Sequence, residues 1–357
     1  MAENEIRPFA EDKEVSLAYR EHYLSSVNGY LARLRKESES KRRAFITPEK
    51  LAADPEGYRA KYRAMLGAPL TEYEAVKDEP VRVISDGRID GVFFDMDGGR
   101  YEMRRMRLGV LEDFEMYGIL FLPEGGVKEP SRFVISQHGG GGTPELCSDF
   151  YGDTNYNHLT RRILSRGAVV FAPQLLLWTP ENFGLPYDRR MIDNELKKFG
   201  SSITALEVTG IMRAIDHFCA QPYVDPSRVG MAGLSYGGFY TLMTAAADPR
   251  VKAAYTSCAL IDMVKRQDFS DWAWKGSGIT FNEAEIAALI APRAYCVDAG
   301  ENDELFGAES TREMFARAKE FFEAQGAGEN IFLKVFPGTH ELDPADDCFD
   351  FFFEKLG

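Results

Sequence analysis

Residues 228–247 read RVGMAGLSYGGFYTLMTAAA, a run of small and apolar residues broken by one serine at a turn, Ser235. Arg228 to Ala232 has the short, continuous apolar character of a strand buried on both faces, and Gly237 to Ala247 has the length and composition of a buried helix. Between them stands Gly233-Leu234-Ser235-Tyr236-Gly237. A strand that turns directly into a helix needs glycine on both sides of the apex, because a side chain there would crowd a turn whose apex residue is held in a strained backbone conformation. In a chain with 32 glycines the G-x-S-x-G pattern alone is a weak signal. Its setting between strand and helix makes Ser235 a candidate nucleophile.

The flanking sequence repeats the same rhythm. Short apolar runs at Arg132 to Gln137, Ala168 to Pro173, Lys252 to Ser257, Arg293 to Ala299 and Ile331 to Phe336 read as further buried strands. Helical stretches fall between and after them, at Tyr156 to Arg166, Ile203 to Ala220, Glu283 to Ile290, Thr311 to Gln325 and about Pro344 to Leu356. Strand and helix in alternation predict a mostly parallel sheet with helices on both faces. Upstream, Val81 to Pro123 alternates in shorter runs, with turn signals at Ser85-Asp86-Gly87 and Asp97-Gly98-Gly99 and two strands around Glu112-Asp113, which predicts antiparallel strands opening the sheet. The first 70 or so residues are helical in pattern. Leu17, Leu24, Val27, Leu31 and Leu34 share one face of a helix reaching about residue 36, a face that needs something to pack on. Thr47-Pro48-Glu49 and Asp54-Pro55-Glu56 each place a capping side chain before a first-turn proline, and the helices they start end near Gly67. Arg33 to Arg43 is locally basic and reads as a solvated face. The long irregular stretches are Gln174 to Gly200 and Ala259 to Asn282, lengths that usually border a functional site.

A serine hydroxyl needs a general base, and in a strand-turn-helix site of this kind the partners follow in the order serine, acid, histidine. Of the five histidines, His22, His138, His158 and His217 precede Ser235, which leaves His340, just past the last predicted strand. His22 and His158 read as helix-surface residues, and His217 as part of the helix before the turn. The acid is expected after the strand Arg293 to Ala299. Asp303 is the first choice and Glu301, on the same short loop, the second, while Asp298 falls inside the strand. Its task would be to accept a hydrogen bond from the far ring nitrogen of His340 and fix the tautomer. Gln137-His138-Gly139-Gly140-Gly141-Gly142 follows the first buried strand, and successive glycines let backbone N–H groups approach a substrate oxygen unobstructed. The amide of Tyr236 and that of Gly140 or Gly141 are the predicted oxyanion donors, with His138 bracing the loop. Trp178, Phe183, Tyr187, Arg189 and Arg190 in the first long stretch, and Trp272 and Trp274 in the second, either line a substrate pocket or pin the loops to the core.

Composition narrows the partners. Lys and Arg total 42 against 56 Asp and Glu, a formal charge of -14, so nucleic acid and anionic membrane surfaces are not expected ligands. No stretch approaches 18 uninterrupted apolar residues and the N-terminal residues are charged, which reads as a soluble, cytoplasmic protein. Cys147, Cys219, Cys258, Cys296 and Cys348 are scattered, without a C-x-x-C pair, so neither a disulfide framework nor a structural zinc is expected. No cofactor or metal is expected either, and a homo-oligomer is left open.

From about Arg132 to the C-terminus, through HGGGG, GLSYGG, GENDELF and PGTHEL, the chain resembles the α/β-hydrolases. Within them it is most similar to the dienelactone-hydrolase-like and acetyl-xylan-esterase-like branch. Val224-Asp225-Pro226-Ser227-Arg228-Val229, Leu289-Ile290-Ala291-Pro292-Arg293 and the helical N-terminal extension carry that likeness. Dienelactone hydrolases use a cysteine where this chain has Ser235, so their particular activity is not implied. The resemblance implies a helical extension over 1–80, a catalytic domain over 81–357, and a serine esterase acting on small acyl esters such as acetylated carbohydrates. GLSYGGFYTLM is also similar to the turn of prolyl-oligopeptidase-family peptidases, whose β-propeller is far longer than the roughly 130 residues before Arg132. A peptidase is the second reading, and a non-catalytic binding protein on the same fold the third.

Overall fold

The computed structural model describes residues 11–177, 187–266 and 270–357. Helices come first: α1 Lys13–Phe45, α2 Pro48–Ala53, α3 Pro55–Leu66 and α4 Tyr73–Val76. Strands β1 Arg82–Phe94, β2 Arg100–Leu111, β3 Phe114–Pro123 and β4 Ser131–Gln137 follow, then α5 Pro144–Cys147, α6 Leu159–Leu164 and β5 Val169–Pro173. Next are α7 Arg189–Lys198, α8 Ile203–Cys219, β6 Val224–Leu234, α9 Tyr236–Ala247, β7 Val251–Ser257 and α10 Glu283–Ala288. The chain closes with β8 Ala294–Gly300, α11 Ala308–Ala324, β9 Ile331–Phe336 and α12 Asp347–Leu356.

The strands form one sheet in the order β1-β2-β3-β5-β4-β6-β7-β8-β9. Pairing is antiparallel from β1 to β5 and parallel from there to β9. Alternate residues of each central strand enter different cores. Phe133 and Ile135 of β4 belong to the core that also takes in α8, α9, α10 and α11, whereas Val134 between them belongs to the one that takes in α6 and α12. Cover on both faces is why these strands are apolar at nearly every position, and why the fold class could be expected from the runs alone.

Several boundaries differ from the expected ones. Ser85-Asp86-Gly87 is no turn but lies within β1, paired with Arg107, Met106 and Arg105. Arg189–Lys198, inside a stretch read as irregular, is helical, capped by the Asp188 side chain, which accepts from the amides of Arg190 and Met191. Helix α1 continues past residue 36 to Phe45, and Arg42 at its end is not solvated: it is buried, 3.5 Å from Glu285. The predicted proline-started helices form with Thr47 and Asp54 as caps, and Gly67 closes α3 at φ 98°. Tyr58, Tyr62 and Leu66 of α3 belong to the same core as α8 and α9. The apolar face of α1 does not pack within the described residues. Leu17, Leu24, Val27, Leu31 and Leu34 remain 37% to 60% exposed.

Candidate active site

Strand β6 delivers Ser235 to the carboxyl edge of the sheet. The residue has φ 60° and ψ -125°, a backbone conformation that costs an ordinary side chain roughly 1–3 kcal/mol and persists only where the surroundings impose it. Here they do: the Ser235 amide donates to the Ser257 carbonyl at 2.9 Å, and its carbonyl accepts from Phe239 at 2.8 Å. A Cβ on Gly237 would run into the carbonyl of Gln137, and one on Gly233 into the Gly237 carbonyl. The sharp turn therefore depends on glycine at both offsets.

His340 sits on the loop after β9 and Asp303 on the loop after β8. The His340 Nδ1–H donates to Asp303 Oδ2 at 2.8 Å. Asp303 Oδ1 accepts the amides of Leu305 at 2.8 Å and Phe306 at 2.9 Å. Burial alone would raise this carboxyl, but the bonds from His340 and from the two amides outweigh it and hold it below its usual range. The Asn155 side chain donates to the His340 carbonyl at 3.0 Å, tying the histidine loop to the segment after α5. Glu301 turns elsewhere, to Arg312 at the surface. Asp298 is buried within β8, accepting from Tyr255 Oη and the Asp343 amide; burial raises its carboxyl to about 6.

Ser235, His340 and the glycine loop line one cavity of about 210 Å³. No hydrogen bond joins Ser235 Oγ to His340 among the described residues, and such contacts commonly tighten only when substrate arrives. Within the loop, the Gly139 amide donates to Tyr156 Oη at 2.6 Å and the Gly142 amide to the Gly139 carbonyl at 3.1 Å. The amides of Gly140 and Gly141 have no partner among the described residues. His138 is fully buried. Its Nδ1–H donates to the Gly139 carbonyl at 2.9 Å, and its Nε2 accepts from the Leu175 amide at 2.9 Å. Burial lowers its pKa to about 4, so it braces the loop as a neutral ring. The remaining histidines lie apart: His22 is exposed on α1, His158 bonds Asp149, and His217 is half-buried on α8.

Sequence reasoning did not find what lies beneath the turn. The Arg189 guanidinium is buried, donating to Asp271 at 2.8 Å, to Glu207 at 3.0 Å, and to Tyr240. Tyr236, next to Ser235, donates from its hydroxyl to Asp271 at 3.1 Å. One cation thus ties both long loops to α8 and α9. Burial would lower the Arg189 pKa, and the surrounding Glu207, Tyr240 and Asp271 hold it charged. Arg189→Met leaves two buried carboxylates facing each other without a cation, a loss of about 3–5 kcal/mol by analogy with broken buried pairs. Urea titration should show that drop, whereas a change below about 1 kcal/mol would mean that the two acids are solvated without the arginine.

Trp272 belongs to the core and Trp274 packs against it half-buried, and both also line a cavity of about 280 Å³. Trp272 is 2% exposed and stacks on Phe239 at 4.1 Å between centroids and 3° between planes. Trp274 lies parallel to Phe239 at 6.4 Å. Trp178 and Phe183 lie outside the described residues. Cys258, Asp303 and His340 bring ligand atoms within 4.8 Å of one another, but the His340 and Asp303 atoms already share a hydrogen bond. The Cys258 thiol donates to the Glu341 carbonyl at 3.3 Å, and burial pushes its pKa up. All five cysteines are free, and no helix among the described residues is long and apolar enough to cross a membrane.

Residues 204–339 match the prolyl oligopeptidase family, whose turn the sequence reading had placed second in resemblance. Over 145 residues the chain is 27% identical to YtaP of Bacillus subtilis (strain 168), described as a candidate hydrolase, and the match covers 39% of this chain and 48% of YtaP. The chain thus spans about half the length of that relative. Among solved structures, a glucuronoyl esterase from Solibacter usitatus superposes with a TM-score of 0.57 at 14% identity, over 87% of this chain and 93% of that one. Acetyl xylan esterase 1 from Thermoanaerobacterium sp. gives 0.54 at 16% identity, over 83% and 98%. At such identities the likeness is one of fold. Taken with a sheet that changes from antiparallel to parallel at β5 and a serine held at positive φ on its carboxyl edge, these matches give the chain the α/β-hydrolase fold.

Proposed function

We propose that this chain is a serine-dependent carboxylic ester hydrolase in which Ser235 is the nucleophile, His340 the general base and Asp303 the acid that orients it. The observation that carries the reading is the His340–Asp303 hydrogen bond at 2.8 Å on the wall of the cavity that also holds Ser235. With its Nδ1 proton donated to Asp303, His340 presents Nε2 as an acceptor for the serine proton. Ser235 Oγ attacks the ester carbon, and the oxyanion is met by the amides of Tyr236 and of Gly140 or Gly141. His340 then protonates the departing alcohol, and water repeats the sequence to release the acid and restore the serine.

Acetylated carbohydrates rest on the resemblance given above and on the name of the acetyl xylan esterase neighbour. Peptide hydrolysis is the second reading, favoured by the match to the prolyl oligopeptidase family. Initial rates on p-nitrophenyl butyrate and on a blocked dipeptide p-nitroanilide separate them. Ester turnover without anilide turnover is expected, and the reverse would replace the esterase with a peptidase.

A further inference from the structure

A second cavity, of about 600 Å³, adjoins the site just described and shares Gly142 with it as a wall. Its volume falls in the range of about 300–1,000 Å³ typical of pockets that enclose a ligand. Phe114, Met116, Leu175, Leu177, Ile192 and Leu206 supply its apolar surface. Tyr187 adds one hydroxyl to the lining, and the other polar side chains there are bonded within the protein. Glu207 accepts from Arg189 and from the Leu176 amide at 2.6 Å, and the Gln174 amide donates to the Leu175 carbonyl at 2.7 Å. Glu115 pairs with Arg107, Tyr117 donates its hydroxyl to Glu145, and Thr143 accepts from the Leu146 amide. A sugar hydroxyl entering here would trade water for walls with little to offer it.

Sheet order decides which part of a substrate reaches this space. The cavity lies at the ends of β3, β5 and β4, Ser235 follows β6, and His340 follows β9, so the serine stands between cavity and histidine along the sheet. The leaving oxygen must sit beside His340 to receive its proton. The alcohol therefore departs on the histidine side, the oxyanion turns to the glycine-loop amides, and the acyl group takes the remaining direction, away from His340.

We infer that the 600 Å³ cavity is the acyl pocket and that the chain's substrates are esters of medium-length apolar carboxylic acids rather than acetyl esters. This rests on the serine-esterase reading above. Each methylene moved from water into such a pocket raises kcat/KM roughly fourfold, the equivalent of about 0.8 kcal/mol.

The test is kcat/KM on p-nitrophenyl acetate, butyrate and octanoate for wild type, Leu206→Trp and Ile192→Trp, which narrow the cavity from two different elements. Thermal melts and labelling of Ser235 by a fluorophosphonate check that each variant is folded, and if one is not, the other carries the comparison. Octanoate should exceed acetate by at least about 100-fold in wild type, and either tryptophan should cut that ratio at least about tenfold. Acetate equal to or better than octanoate, or a ratio untouched in folded variants, would overturn the acyl pocket and leave the esterase standing. Absence of both ester turnover and labelling in wild type would remove the esterase and the pocket with it.

Discussion

Ser235→Ala is expected to lower kcat on p-nitrophenyl esters by about 10⁴–10⁶-fold, with KM changed little. The size of the loss follows from the role: without Oγ no acyl-enzyme forms, and His340, Asp303 and the glycine-loop amides can only assist direct attack by water. Some rate above that of water should remain, because the oxyanion donors are backbone groups that the substitution does not touch. The fold should tolerate it, since alanine is no larger than serine and Ser235 makes its turn contacts through its backbone, to Ser257 and Phe239. Steady-state kinetics with a melting curve for each protein check this. Unchanged turnover in a clean preparation would show that the hydrolysis, wherever it occurs, does not pass through this serine.

Asp303→Asn should be nearly as damaging, at about 10⁴-fold in kcat, and for a different physical reason. Asp303 Oδ1 is held by the amides of Leu305 and Phe306, so an asparagine would keep its oxygen there and turn its NH₂ toward His340. A donor facing Nδ1 forces the opposite tautomer, with Nε2 carrying the proton where it must accept one. Glu301→Gln supplies the contrast. Its carboxylate pairs with Arg312 with both side chains about half exposed, a contact contributing roughly 0–1 kcal/mol, and the rate should stay within about twofold. Comparable losses in both variants would mean that the acid has been assigned to the wrong residue on this loop.

What could be read in advance and what could not divide along physical lines. The turn at Ser235 was legible because its glycines are demanded by contacts of the local backbone, and the central strands because burial on both faces leaves continuous apolar runs. His340 could be singled out by order along the chain, being the histidine after Ser235, and the fold brings it to the cavity that Ser235 lines. Strand β1 was misjudged at Ser85-Asp86-Gly87 because it is the edge of the sheet, largely exposed on both faces, and carries no alternation to mark it. Helix α7 was missed because its sequence RRMIDNELKK is mostly charged, and what it buries is an arginine and an aspartate. The Arg189 network had no signature at all. Its members lie 18, 51 and 82 residues from the arginine, and only folding makes them neighbours. The face of α1 was readable as apolar, yet its exposure was not, since periodicity says which residues share a side and nothing about what covers it.

The most direct test of the account is to treat the folded wild-type chain and His340→Ala with a fluorophosphonate and map the modified peptide by mass spectrometry. The account predicts rapid, stoichiometric modification of wild type at Ser235 alone and modification slowed by orders of magnitude when His340 is absent. Modification at another residue, or labelling of Ser235 at the same rate in both proteins, would contradict a serine activated by His340.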